Sequence, residues 1–285
     1  LVYGDYDVDG TTSVAMMYSF LKKINKNIDY YIPCRYKEGY GISFKGIDYA
    51  KQNNFELIIA LDCGINAISQ INYANEKGID FIICDHHNPG YKIPSAVAVL
   101  NPKQINCKYP YKHLSGCGVG FKLIQAYCKR NDISFDKITE YLDLLSVSIA
   151  ADIVPMTGEN RVMAYYGLQQ INTTPRIGLK ALMDVASKKK DLSIEDLVFF
   201  IAPRINAVGR IEHAKKAVDI LVEENYSIAK SFADKIEENN KKRRMLDHNI
   251  TIEALQMIDE TKKSTVVFSE KWHKGVVGIV ASRLI

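Results

Sequence analysis

Short apolar runs and amphipathic stretches alternate through the first hundred residues. Residues 1–3, 30–33, 57–61, 81–84 and 96–100 are apolar runs of strand length. Between them, residues 12–24, 47–52 and 67–77 carry apolar positions at helical spacing. Strands alternating with helices predict right-handed βαβ units and a parallel sheet covered on both faces, an α/β fold. From about Phe121 the pattern turns helical, with predicted helices over 121–129, 138–151, 161–171, 178–187 and 194–201. Residues 202–210 read as a loop after the last of these.

A longer helical stretch follows over residues 227–260. Ile228, Phe232 and Ile236 stand at i, i+4 spacing, and Leu255 and Ile258 continue the apolar side beyond a charged centre. Its length suggests a helix connecting two lobes rather than one packed inside a single core. Residues 265–268 then restart a strand and residues from 275 a helix. The expected organisation is a core over 1–213, a connecting helical region over 214–262, and the truncated start of a second α/β domain over 263–285. The sequence opens on Leu1 in a strand-like run and stops at Ile285 within a helix-like one, so it reads as an internal piece of a longer protein.

Composition narrows the class without naming it. With 285 residues, 47% hydrophobic and 25% charged, the chain has an ordinary globular balance and length for about two domains. No apolar run approaches the roughly 20 residues of a membrane span, and no signal peptide is visible. A net charge of +4 is too small to mark a nucleic-acid binder by bulk charge. None of the six cysteines forms a C-x-x-C pair. That argues for free thiols in a reducing, cytoplasmic setting and against a cysteine zinc site.

The acids change the picture. Ligands of open parallel sheets gather beyond the carboxyl ends of the strands. Strand one runs into Asp5, Asp7 and Asp9; residues 57–61 end at Asp62; residues 81–84 end at Asp85-His86-His87. Asp152 follows an apolar helical stretch and is able to face the same edge. So many like charges need a cation to stay ionised. Carboxylates with imidazole suit Mn²⁺ or Mg²⁺, and two ions about 3.5–4 Å apart form a clamp for phosphoryl chemistry. Metal-assisted hydrolysis of a phosphate ester or anhydride is the predicted reaction class. An EF-hand is excluded, because its twelfth position is Met16 and a strand-like run precedes the loop. Turn formation explains any one Asp-Gly pair, but less well the whole set at successive strand ends.

Other features read as structural. The run Gly116-Cys117-Gly118-Val119-Gly120 lacks the Gly-Lys-Ser/Thr of a phosphate loop and suits close packing of a helix start. Lys241-Lys242-Arg243-Arg244 reads as a solvated helix face, with contact to a DNA backbone as the lesser alternative. Trp272 and His273 read as packing residues.

The Asp-x-Asp-x-Asp-Gly run with Asp85-His86-His87 after an apolar strand resembles the DHH phosphoesterase superfamily. The runs CRYKEGYG, SGCGVGFKL, SIAADIVP, APRINAVGR and WHKGVVGIVASRL, in that order across the chain, resemble its RecJ branch. The resemblance implies that Asp7, Asp9, Asp62, His86 and Asp152 are metal ligands, Asp62 bridging two ions. Asp5 stands where other branches differ and is a further ligand candidate. The resemblance also implies that Asp85 orients a neighbouring imidazole and that His87 contacts the scissile phosphate or assists proton transfer. Arg35, Arg204, Asn206 and Arg210, with Ser282, are then candidates for binding the nucleic-acid backbone, with Arg283 beside Ser282 weighed lower. The implied activity is a Mn²⁺- or Mg²⁺-dependent 5′→3′ exonuclease on single-stranded DNA in repair and recombination. A single-strand-binding protein and a helicase are its implied partners. A phosphodiesterase for short oligoribonucleotides or cyclic dinucleotides, and an inactive DHH scaffold in a replication assembly, stand as alternatives.

Overall fold

A computed structural model describes residues 1–187, 191–259 and 261–284. The last position of the predicted long helix, residue 260, and the final Ile285 lie outside the described residues. Five strands form one parallel sheet: β1 (Val2–Gly4), β2 (Tyr30–Tyr31), β3 (Leu57–Leu61), β4 (Asp80–Cys84) and β5 (Ala98–Leu100), in the order β2-β1-β3-β4-β5. The register pairs Gly4 with Leu61 and Leu61 with Cys84. The next residue on three adjacent strands is therefore an aspartate: Asp5, Asp62 and Asp85.

Helices cover both faces, as buried parallel strands require. On one face, α2 (Phe44–Gln52) and α3 (Ile68–Glu76) place Ile47, Ala50, Ile71 and Ala74 against Tyr3, Ile58, Ala60, Phe81 and Ile83. On the other, α1 (Val8–Lys22), α4 (Gly116–Arg130) and α5 (Leu142–Ala151) join a larger core. Caps fix where these helices begin. The Asp7 carboxylate accepts from Gly10 N at 2.9 Å, and Ser115 Oγ accepts from Gly118 N at 3.1 Å.

The same core runs on through α6 (Gly158–Thr173), α7 (Ile177–Val185), α8 (Ile194–Asp196), a π-helical turn (Leu197–Ile201), α9 (Ala202–Ile211) and α10 (Lys215–Val222). It ends in the first half of α11 (Tyr226–Gln256), at Ala229, Ala233 and Ile236. The second half of α11 carries Ile250 and Ala254 into a separate small cluster with Val276 and Val280, next to α12 (Val277–Ala281). One long helix thus serves two apolar clusters. A buried ion pair ties the helical layer together: Arg176 reaches Asp143 through Nε–Oδ2 at 2.6 Å and Nη2–Oδ1 at 2.8 Å.

Three expectations need correction. Residues 202–210 are not a loop but lie in α9, with Pro203 in its first turn, where a missing N–H costs no helical bond. Residues 265–268 form no strand; Val266 and Phe268 are exposed, and β-prone side chains alone do not make a strand without a neighbour to pair. The helix after residue 275 has only five residues. Helix α10 was not predicted at all.

Candidate metal centre

The three collinear aspartates take different roles because their surroundings differ. Asp62 adopts a left-handed backbone at φ 58°, a conformation that Asp tolerates better than most residues. Its side chain is buried, Oδ1 lies 3.2 Å from His86 Nε2, and Oδ2 has no hydrogen-bond partner among the described residues. Burial, then Asp9, Asp7, Asp85 and Asp152, push the Asp62 carboxyl well above the usual carboxylate range. Asp85 is also buried, yet its charge is fully used. Oδ1 accepts from His87 Nδ1 at 2.7 Å and from the His86 amide at 2.7 Å, while Oδ2 accepts from Ile65 N at 2.9 Å. Burial pushes it up, but the His87 bond and charge and the amides outweigh that and hold it low. Asp5 is buried and belongs to neither group of clustered ligand atoms among the described residues, with Oδ1 accepting from Tyr6 N at 2.7 Å and Oδ2 unpartnered. Burial and the Asp7 charge push it up to about 7.

The first turn of α1 supplies the next two acids. The Asp7 carboxyl is raised, chiefly by burial and also by Asp9, against the lowering effect of the Gly10 amide. Asp9 is anchored across the fold. Its Oδ2 accepts from Gly116 N at 2.6 Å, and its Oδ1 from Cys117 N at 2.8 Å and Ser148 Oγ at 2.7 Å. The start of α4 therefore points its free amides, the positive end of the helix, at a carboxylate. This is the work of the glycine run. A Cβ on Gly116 would stand 2.5 Å from Asp62 Cβ, so only glycine lets the helix approach this closely.

His86 closes the cup. Its Nδ1 lies 3.0 Å from Leu114 O, which can only accept, so Nδ1 carries the proton and Nε2 presents a lone pair. That Nε2 stands 3.2 Å from Asp62 and 3.7 Å from both Asp9 and Asp152. Burial lowers the His86 pKa and keeps the lone pair free. Asp152, at the end of α5, is pushed up to about 7 by burial, then by Asp9 and Asp7. Ligand atoms of Asp9, His86 and Asp152 lie within 4.8 Å of one another, as do those of Asp62, His86 and His87. The unpartnered Asp62 oxygen, the crowded raised carboxyls and the free imidazole lone pair together fit a hard divalent cation held by oxygen and nitrogen.

A recess of about 250 Å³ opens beside the cup, lined by Asp7, Asp9, Asp152, Tyr6, Tyr40, Arg35, Asn206 and Arg210 among others. The Arg35 guanidinium lies 4.5 Å over the Tyr6 ring, and Arg210 Nη1 donates to Gly275 O at 2.9 Å. Gly209 lets α9 come this near: a Cβ there would stand 2.8 Å from Tyr6 O. Three basic or polar candidates fall elsewhere. Arg204 is buried and pairs with Glu237 at 2.7 Å, the ordinary salt bridge rather than a recess group. Ser282 ends α12, its hydroxyl donating to Gly278 O at 3.1 Å, and Arg283 pairs with Asp247 at 2.9 Å. His87, fixed by Asp85, turns Nε2 to the Tyr40 hydroxyl at 3.3 Å.

Sequence reasoning missed Tyr40, Tyr6 and Ser148. Ser148 was findable, since it stands one helical turn before Asp152 and so shares its face of α5. Tyr40 lies within the run CRYKEGYG and Tyr6 within the Asp-x-Asp-x-Asp-Gly run, but neither run assigns the tyrosine a place in the site, which arises from loops meeting in space.

Acidic strand ends with an imidazole, opposite a guanidinium recess on a parallel sheet, define a phosphoester-handling class of site. The DHH family, N-terminal domain, matches residues 1–149, just over half the chain. The chain is 41% identical over its whole length to the single-stranded-DNA-specific exonuclease RecJ of Bacillus subtilis and 34% identical to that of Escherichia coli. It spans 36% and 52% of the lengths of those two relatives. A crystal structure of exonuclease RecJ bound to manganese superimposes with a TM-score of 0.91 at 31% identity, over 99% of this chain and 71% of that one. The chain belongs to the DHH family and, within it, to the RecJ branch. Among the described residues, no helix is long and apolar enough to cross a membrane.

Proposed function

We propose that the chain is the catalytic part of a metal-dependent exonuclease that hydrolyses single-stranded DNA from the 5′ end. One observation carries the reading: a buried acid and imidazole cup shares a recess of about 250 Å³ with two guanidinium groups that form no ion pair among the described residues. The cup suits cations and the guanidinium groups suit the phosphate that those cations would act on. Exonuclease and manganese in the names of similar proteins support it. The polarity is that implied by the family resemblance.

In this reading Asp7, Asp9, Asp62, His86 and Asp152 hold Mn²⁺ or Mg²⁺. Bound cations supply charge neutralisation on the phosphate and a lowered pKa for water. The chain's own residues do the rest. Gly116, Cys117 and Ser148 hold the Asp9 carboxylate in place through three hydrogen bonds. Arg35 and Arg210, with Asn206, orient the phosphodiester for in-line attack by water. Asp85 fixes His87, whose Nε2 holds the proton that the leaving sugar oxygen takes up. The organisation into a unit over 1–213, a connecting region over 214–262 and the start of a second unit over 263–285 belongs to the same proposal. Its support is the separate cluster at the far end of α11. A cytoplasmic setting, with a single-strand-binding protein and a helicase as partners, completes it, and six free cysteines suit a reducing compartment.

The test is a time course on 5′- and 3′-labelled single strands with Mn²⁺, comparing wild type with Asp62→Asn in the full-length protein. Asparagine rather than alanine is chosen because it tolerates the left-handed backbone at residue 62. The expected result is release of labelled mononucleotide from the 5′ end, lost at least 100-fold in the variant. Equal activity in the variant overturns the metal-site assignment, and cleavage of dinucleotides alone overturns the substrate.

A further inference from the structure

His87 is held at both ring nitrogens. Its Nδ1 donates to Asp85 Oδ1 at 2.7 Å, and its Nε2 lies 3.3 Å from the Tyr40 hydroxyl. The Tyr40 ring meets the His87 ring edge-on, with centroids 6.1 Å apart and planes at 85°. Tyr40 also meets Tyr6 edge-on, with centroids at 5.7 Å, and Arg35 lies 4.5 Å over the Tyr6 ring. A continuous line of contacts thus joins a recess guanidinium to His87 through two tyrosines.

Two cavities flank Tyr40. It lines the recess with Arg35, Asn206 and Arg210, and a second cavity of about 270 Å³ with His87, Asp85 and Cys63 among others. Tyr40 is therefore the wall between the guanidinium groups and His87. The loop that carries it, and Arg35 with it, is braced from within. Glu38 Oε1 accepts from Cys34 N at 2.9 Å, and Oε2 accepts from Ser43 Oγ at 2.6 Å and Tyr31 Oη at 2.8 Å. Gly39 and Gly41 flank Tyr40 at φ 86° and 78°, and a Cβ on either would meet nothing within 4 Å. Both glycines serve backbone conformation rather than close packing, and the loop they shape presents the tyrosine.

We propose that Tyr40 is a positioning residue for the reaction: its hydroxyl and ring edge keep His87 Nε2 turned to the recess, in register with a phosphate bound at Arg35. The inference rests on the reading of His87 as the group that protonates the leaving sugar oxygen. In that step the water oxygen bonds to phosphorus, the bond from phosphorus to the sugar oxygen breaks, and the His87 proton passes to that oxygen. The attacking water releases a proton to solvent, and His87 regains one from solvent. Tyr40 makes and breaks no bond.

The test uses the full-length protein with Mn²⁺ and single strands whose scissile linkage carries either oxygen or sulfur at the leaving position. A thiolate leaves without taking up a proton, so a displaced His87 should matter little there. Tyr40→Phe keeps the ring and removes the hydroxyl. On the oxygen linkage its kcat should fall about tenfold, the worth of one hydrogen bond, with KM within about twofold of wild type. On the sulfur linkage the fall should shrink below about twofold. Combined with His87→Asn, Tyr40→Phe should add nothing to the loss. Tyr40 is 55% exposed, so the variant should melt within about 2 °C of wild type.

Equal losses on both linkages would assign the hydroxyl to the acids of the cup and overturn the inference. A raised KM with unchanged kcat would make Tyr40 a DNA contact, and additive losses in the double variant would unlink it from His87. Either result overturns it, as does an unchanged kcat in Tyr40→Phe beside a deficient His87→Asn. Wild type that cleaves neither strand, or His87→Asn with full activity on the oxygen linkage, overturns the functional reading itself.

Discussion

Gly116→Ala isolates how closely the metal centre depends on the packing of one helix start. The added Cβ would stand 2.5 Å from Asp62 Cβ, 2.6 Å from its Oδ1 and 2.8 Å from its Cα. Ordinary van der Waals separation begins near 3.4 Å, so relief needs a movement of about 0.9 Å. Because the clash reaches the main chain of Asp62, rotating its side chain is not enough; backbone must move. Two elements can give way. If α4 retreats, the amides of Gly116 and Cys117 leave the Asp9 carboxylate that they now hold at 2.6 and 2.8 Å. If the β3 end retreats, Asp62 leaves His86. Either path misplaces an acid of the cup by nearly 1 Å, an error that costs about 100-fold in rate. Stability should respond far less. Overpacking costs about 1–3 kcal/mol, and replacing helical glycine by alanine returns up to about 1 kcal/mol. The net loss expected is thus about 0–2 kcal/mol against a hundredfold loss of kcat/KM. Gly118→Ala is the matched control, because its nearest atoms lie at 3.4 Å in the same helix turn. It should keep wild-type activity and be neutral or slightly stabilised. Steady-state kinetics with Mn²⁺ on single-stranded DNA, alongside urea denaturation, measures both quantities. A Gly116→Ala enzyme within threefold of wild type, or no worse than Gly118→Ala, would refute the reasoning.

Other perturbations probe charge. Asp62→Asn removes a carboxyl that the fold disfavours in its ionised form, so at pH 7.5 the metal-free variant should melt about 2–4 °C above wild type. Calorimetry in EDTA reads this, and a lower melting temperature counts against the assigned repulsion. Wild type, given Mn²⁺ at about 100 times its Kd, should gain about 2.7 kcal/mol, or about 5–10 °C. Asp62→Asn should lose most of that gain, and a full gain in the variant contradicts the cup as the binding site. Arg176→Met strands the fully buried Asp143 without its bidentate partner and should cost about 3–5 kcal/mol by urea denaturation. A loss under 1 kcal/mol would show that Leu144 N, which donates to Asp143 Oδ1 at 2.6 Å, suffices alone.

How far the sequence discloses this site depends on whether each position is fixed locally or by chain meeting chain. The sheet was legible because parallel strands buried on both faces are continuous apolar runs, and β3 agrees residue for residue with its predicted span. Alignment of Asp5, Asp62 and Asp85 follows from that register. Their different chemistry follows only in part: the His87 imidazole that holds Asp85 stands two residues away, whereas the Ile65 amide on Asp85 and the His86 imidazole beside Asp62 come from 20 or more residues away. The glycine run before α4 shows the same divide. Its composition correctly implied tight packing, but only the fold reveals that what it packs against is Asp62, and that the amides so exposed carry the charge of Asp9. Residues 202–210 misled because α9 follows a π-helical turn, and Pro203 in its first turn has no helical bond to lose. Once that segment is helical, Asn206 and Arg210 fall one turn apart on one face, and Arg204 swings instead to Glu237. Secondary structure therefore decides which arginine can meet a phosphate. A motif supplies the residue types, and the phase of a helix selects among them.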